Sequence, residues 1–170
     1  MYSKIQVNTA TALVVIPSDT IHIPEPASKV VSGTADFSVG GTLTDVGTTF
    51  TTEGINVGAI VYDTTANKAY TVSEVASDTE ITLSPTAAGG ATDSYVIYND
   101  QTLGALLWVG SNEAAMDVAK SVADVNVKTV NNNTVVFTNA KVGDYLPVQV
   151  TMLKDTTTTA ASKNNCIALS

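Results

Sequence analysis

Hydrophobic and polar positions alternate with a period of two along much of this chain, the pattern of strands with one buried face. The pattern is clearest near the C-terminus, where Val125 and Val127 share one face and Asp124, Asn126 and Lys128 the other. Asn131, Asn132 and Asn133 follow, all tolerant of positive φ, and the chain resumes with Thr134-Val135-Val136-Phe137. This stretch reads as a β-hairpin. In a third strand Leu146, Val148, Val150 and Met152 share one face, with Tyr145, Gln149 and Thr151 opposite. Pro147 has no N–H to give to a ladder, so this strand is expected at an edge, or paired on one side only near that point. A Thr-rich loop over residues 156–159 leads to a last short strand over 166–169.

The middle of the chain reads as a separate unit. Short strands are expected over residues 59–62, 69–72, 80–83 and 95–98, divided by turn chemistry at 63–67 and at Ala88-Gly89-Gly90. Strands at roughly 8–12-residue spacing suggest a small barrel or sandwich. Tyr95 and Tyr98 fall on opposite faces of their strand, and one of them is expected to cover the barrel mouth. A single helix is expected over 113–120, capped by Asn112, with Glu113 near the positive end of its dipole. The fold expected is all-β: an antiparallel, jelly-roll-like β-sandwich built from residues 1–32 and 101–170, interrupted by a small β-barrel over residues 33–100.

Composition changes the picture mainly by exclusion. Charged residues are only 14% of the chain and hydrophobic ones 44%, so the polar surface is largely Thr, Ser and Asn. Such short side chains lose little entropy when ordered against a partner. The net charge is −8 and every basic residue is Lys, which argues against a nucleic-acid partner. The apolar run from Ala12 to Ile16 ends at Pro17, too short for a signal peptide, and no run approaches the roughly 20 residues that span a bilayer. The chain is expected to be soluble, with no membrane partner.

Reactive chemistry is sparse. His22 is the only His and has no Cys, Asp or second His at ligand spacing; Cys166, the only Cys, sits in an apolar stretch and reads as a buried thiol. No nucleophile and base pair up, and Gly40-Gly41 and Gly89-Gly90 lack the context of a phosphate loop. Asp36, Asp45 and Glu53 lie near one another without the order of a calcium loop and read as solvated acids. No enzyme activity, cofactor or metal is expected. Trp108, the only Trp, is expected in the core, and Tyr145 on the surface. Pro17, Pro24 and Pro26 hold their segment extended, along a sheet edge or toward a neighbour, and Ser18 and Asp19 can close a local side-chain turn.

Two distant stretches look like parts of one known pattern. The first is Ile16-Pro17-Ser18-Asp19-Thr20 with Ile23-Pro24-Glu25-Pro26-Ala27; the second runs from Ala105-Leu106-Leu107-Trp108-Val109-Gly110 through residues 124–129, Thr134-Val135-Val136-Phe137, Gly143-Asp144-Tyr145-Leu146-Pro147-Val148-Gln149-Val150 and the Thr-rich loop to Ile167-Ala168-Leu169. Together they resemble the head-spike base proteins of tailed phages and gene transfer agents, over about 100 residues. That family runs almost directly from its Pro segment to the aromatic-Val-Gly step, whereas residues 33 to about 100 intervene here. The intervening part looks like the small β modules inserted in phage structural proteins, with Phe50, Gly54, Val57, Gly58 and Ile60-Val61-Tyr62 carrying the likeness. A second extension, around residues 111–121, lengthens the loop after Trp108.

The resemblance implies a virion structural protein, assembled in the bacterial cytoplasm, that decorates the capsid or forms the base of a head spike. Its implied partners are the major capsid protein or other virion proteins and further copies of itself, as a trimer or pentamer. Candidate contact residues are Pro17, Ser18, Asp19, Pro24, Pro26, Tyr145 and Pro147. Two alternatives stand beside this: a neck, tail or baseplate adaptor, and a receptor- or glycan-binding module, which would need an exposed platform of Tyr62, Tyr70 or Tyr98.

Overall fold

A computed structural model describes residues 11–111, 122–163 and 165–170. The helix expected over 113–120 lies outside these residues. Among the described residues twelve strands form two six-stranded sheets in which every neighbouring pair is antiparallel. The protein is all-β, as the alternation of its side chains requires.

The strands are β1 (Ala12–Val14), β2 (Lys29–Ala35), β3 (Thr42–Thr44), β4 (Ile60–Asp63), β5 (Lys68–Val75), β6 (Glu80–Ser84), β7 (Asp93–Tyr98), β8 (Ala105–Trp108), β9 (Val122–Thr129), β10 (Thr134–Lys141), β11 (Tyr145–Leu153) and β12 (Ile167–Leu169). The first sheet has the order β1-β12-β8-β11-β9-β10, the second β2-β7-β4-β5-β6-β3. A 3-10 turn (Pro26–Ser28) and two four-residue helices, α1 (Phe50–Glu53) and α2 (Ala160–Lys163), complete the described elements.

The second sheet begins at Lys29, so residues 29–32, assigned to the outer unit on sequence, belong to its strand β2. This sheet curls until its two edge strands approach. Asp36 and Thr44 exchange both backbone hydrogen bonds, at 2.8 and 2.9 Å, linking the end of β2 to β3. Inside the curl lie Phe37, Leu43, Phe50, Ile81, Tyr95 and Ile97, all essentially inaccessible. The chain enters and leaves this unit at one place, where Pro24 bridges Gln101 and the Glu25 N–H donates to the Asp100 carbonyl at 2.8 Å.

The first sheet buries Val15, Ile23, Leu107, Val125, Val127 and Val150 in its own core. The β9–β10 hairpin has the expected register, Val135 opposite Val127, and turns through Asn132 at φ 65°. Strand β11 is interior, between β8 and β9, yet Pro147 falls in a gap: pairing with β8 skips from Tyr145 to Gln149, and pairing with β9 starts only at Val150. The missing N–H therefore breaks no ladder bond.

A third apolar cluster joins the two sheets. Ile16 and Ile21 from the first segment pack on Ile60, Tyr62, Ala69 and Tyr98, the outer face of the second sheet. Strand β4 is buried on both faces for this reason: Val61 looks into the curl while Ile60 and Tyr62 meet the seam. Tyr98 does not cover a barrel mouth; it is buried in the seam, edge-on to Tyr62 with ring centroids 5.9 Å apart.

Candidate functional site

The segment carrying most of the expected contact residues is fastened within its own subunit. Ser18 N–H donates to the Leu153 carbonyl at 2.8 Å and Ile23 N–H to the Thr151 carbonyl at 2.9 Å, so the segment runs beside the end of β11. The Ser18 hydroxyl accepts from the Ile21 N–H at 3.0 Å, the local turn expected of it. Asp19 departs from that expectation, because its carboxylate reaches across to the Thr-rich loop and accepts from the Thr156 N–H at 3.1 Å and hydroxyl at 2.5 Å. The Thr156 hydroxyl in particular holds the Asp19 acid below its ordinary value, despite some opposing desolvation. Pro24 is buried and unavailable to a neighbour, and Pro26 opens the 3-10 turn. Pro17 is half-buried.

Tyr145 and Pro147 are placed differently. Both are exposed, Tyr145 to 50%, beside a groove of about 190 Å³ lined by Val109, Phe137, Ala140 and Leu146. Next to it runs β10, the outermost strand of the first sheet, in which no residue is fully buried. Val135 and Val136 are exposed on its opposite faces. Between Thr134 and Phe137 its pairing to β9 is regular; beyond, a bulge at Thr138 and Asn139 disrupts the ladder, with Asn139 at φ 55°. Four uncharged β-branched or aromatic residues thus line an edge that no other strand among the described residues pairs with. Sequence reasoning placed these residues in a hairpin but did not single out their outer edge.

Trp108 is only half-buried, a departure from the core position expected; its indole N–H donates to the Gly143 carbonyl at 2.9 Å, fixing the turn before Tyr145. Cys166 is fully buried and its thiol donates to the Ser162 carbonyl at 3.3 Å; burial pushes its acidity down. His22 is half-buried with its Nδ1 lacking a hydrogen bond. Tyr62, Tyr70 and Tyr98 are exposed by no more than 6%, so they offer no platform for a sugar ring.

The acids read as solvated do local work. Asp36 accepts from the Ser38 N–H at 2.7 Å, and Asp45 from the Gly47 N–H at 2.8 Å and the Tyr95 hydroxyl at 2.8 Å. Among the described residues no three His, Cys, Asp or Glu side chains gather as a metal set, and no helix is long and apolar enough to cross a membrane. Beside the seam an open groove of about 600 Å³ lies between the Pro17–Asp19 segment and the second sheet. The charged groups on its walls are engaged: Lys163 with Asp155 at 2.8 Å, Lys68 with the Ala88 carbonyl at 3.2 Å, Asp19 with Thr156.

One cluster was not foreseen. Asp63 and Asp93 are both buried at the ends of β4 and β7, and Asp63 stands above the usual carboxylate range because of burial and, secondarily, the Asp93 charge. No family model, curated protein or solved structure matches this chain.

Proposed function

We propose that this chain is a structural protein of a tailed-phage virion, decorating the capsid or forming the base of a head spike through symmetric β contacts between copies. The observation that carries the reading is the edge of β10 at residues 134–137, unpaired among the described residues, uncharged and flanked by exposed Tyr145 and Pro147. An edge of this kind is a template for another strand, and a closed ring of copies is one way to bury it. The motif resemblance and the charge-poor, Thr- and Ser-rich surface support the same reading. Because the Pro17-to-Pro26 segment is tied to β11, the contacts fall on β10, Tyr145 and Pro147 instead.

Copy number in purified particles tests the location. Hundreds of copies per particle fit decoration and about five per vertex a spike base, whereas roughly six to twelve would move the protein to the neck or tail. Absence from the particle overturns the reading.

A further inference from the structure

Two buried carboxylates lie at the ends of neighbouring strands of the curled sheet, and neither forms an ion pair among the described residues. Asp63 is wholly inaccessible; its Oδ1 accepts from the Thr65 and Ala66 N–H groups at 3.1 and 2.8 Å, but its Oδ2 makes no hydrogen bond. Asp93, 8% exposed, accepts from the Gly90 N–H at 2.6 Å. Both carboxylates close on Gly89: a Cβ there would lie 2.7 Å from Asp93 Oδ2 and 3.2 Å from Asp63 Oδ2. Tyr70, 3% exposed, also has a hydroxyl without a partner, within electrostatic reach of both acids.

Where both acids stay ionised such a set calls for a positive partner, and three candidates can be compared. Lys68 is the nearest ammonium, in register with Asp63, but its Nζ donates to the Ala88 carbonyl and forms no ion pair with either acid. A shared proton would need the two carboxyl groups in a short hydrogen bond, and Asp63 Oδ2 has none. A cation is larger than a proton and bridges oxygens that do not touch. All the donors are hard oxygens, which select calcium or magnesium over softer metals. Gly89 has no side chain, and a Cβ there would crowd Phe37 Cβ at 2.8 Å as well as both carboxylates, so only glycine lets the backbone run this close to them.

We propose that Asp63, Asp93 and the Tyr70 hydroxyl form a binding site for a hard divalent cation, calcium by preference because its coordination tolerates irregular geometry. The ion would tie the ends of β4 and β7 to the loop at Gly89 and to β5, locking the curl of the second sheet.

The test uses the full chain stripped with a chelator. Thermal unfolding with CaCl₂ in place of EDTA should raise Tm by roughly 3 °C or more, with a smaller rise in MgCl₂. Calorimetry should show saturable binding of one calcium per chain. Asp63→Asn, which keeps the acceptor for Thr65 and Ala66, should abolish both effects, while Glu74→Gln at an exposed position should retain them. No calcium effect on the wild-type chain overturns the proposal whether or not the variant folds; an unchanged effect in Asp63→Asn overturns it too.

Discussion

Asp19 grips Thr156 with both carboxylate oxygens, one on the backbone N–H and one on the hydroxyl, across 137 residues of chain. Lys154 adds a bond from its ammonium to the Asp19 carbonyl at 3.0 Å. This junction fixes the entry segment to the loop that follows β11, and so fixes where Ile16 and Ile21 meet the second sheet. Asp19→Ala should cost roughly 1 kcal/mol, less than a buried charged hydrogen bond because Asp19 is exposed. Thr156→Val should cost a similar amount, and the double variant little more than either in urea denaturation. Fully additive losses would show that the two side chains do not act together.

His22 provides a pH signature. Burial, and secondarily the Lys128 charge, disfavour the imidazolium, so the folded pKa lies below the ordinary 6.5. As pH falls the unfolded chain takes up the proton first, so His22 contributes stability above 6.5 that is lost as pH drops through the lower folded value. As the only His in the chain, it gives one imidazole resonance for NMR titration. The midpoint should fall below 6.5, and His22→Asn should flatten stability between that midpoint and neutral pH; a midpoint above 6.5 would contradict this.

Closure of the second sheet rests on Tyr95. Its ring packs edge-on to Phe50, centroids 6.4 Å apart, and its hydroxyl donates to Asp45 beyond β3. Tyr95→Phe should cost about 1 kcal/mol by losing that bond. Phe37→Ala, deep in the same core, should cost about 3–5 kcal/mol by leaving a cavity. Denaturant midpoints check both, and equal effects would mean that the core does not bear on this curl as described.

The strands that sequence made legible are those with one-sided burial or dense β-branching. The β9–β10 hairpin announced itself through Val125, Val127 and the Asn turn, and β4 to β7 through runs such as Ile60-Val61-Tyr62. Strand β2 was not legible, because few of its residues are buried and Gly33, where the inserted unit was expected to begin, interrupts it. Gly33 stands opposite Tyr95, whose ring would lie 3.3 Å from a Cβ there, so a close aromatic approach replaces the alternating signal. The Asp63–Asp93 cluster was invisible for a different reason: thirty residues separate the two acids, and only the pairing of β4 with β7 unites them. The free edge of β10 depended on sheet order, which alternation does not encode.

The edge itself can be poisoned. Val136→Lys places a charge on the strand where an incoming partner would pair, a device that blocks edge association. Because Val136 is 43% exposed, the folded subunit should lose less than about 1 kcal/mol while self-association weakens at least tenfold. Equal association of wild-type and variant chains would remove β10 from the interface, and with it the observation that carries the virion reading.

Light scattering on the purified full-length chain at about 10 µM, eluting from a sizing column, addresses the central claim most directly. A ring of copies should give a mass of three or five times 17.6 kDa, reduced toward one subunit by Val136→Lys. A wild-type mass of 17.6 kDa, unchanged on concentration, would contradict an assembly built on this edge.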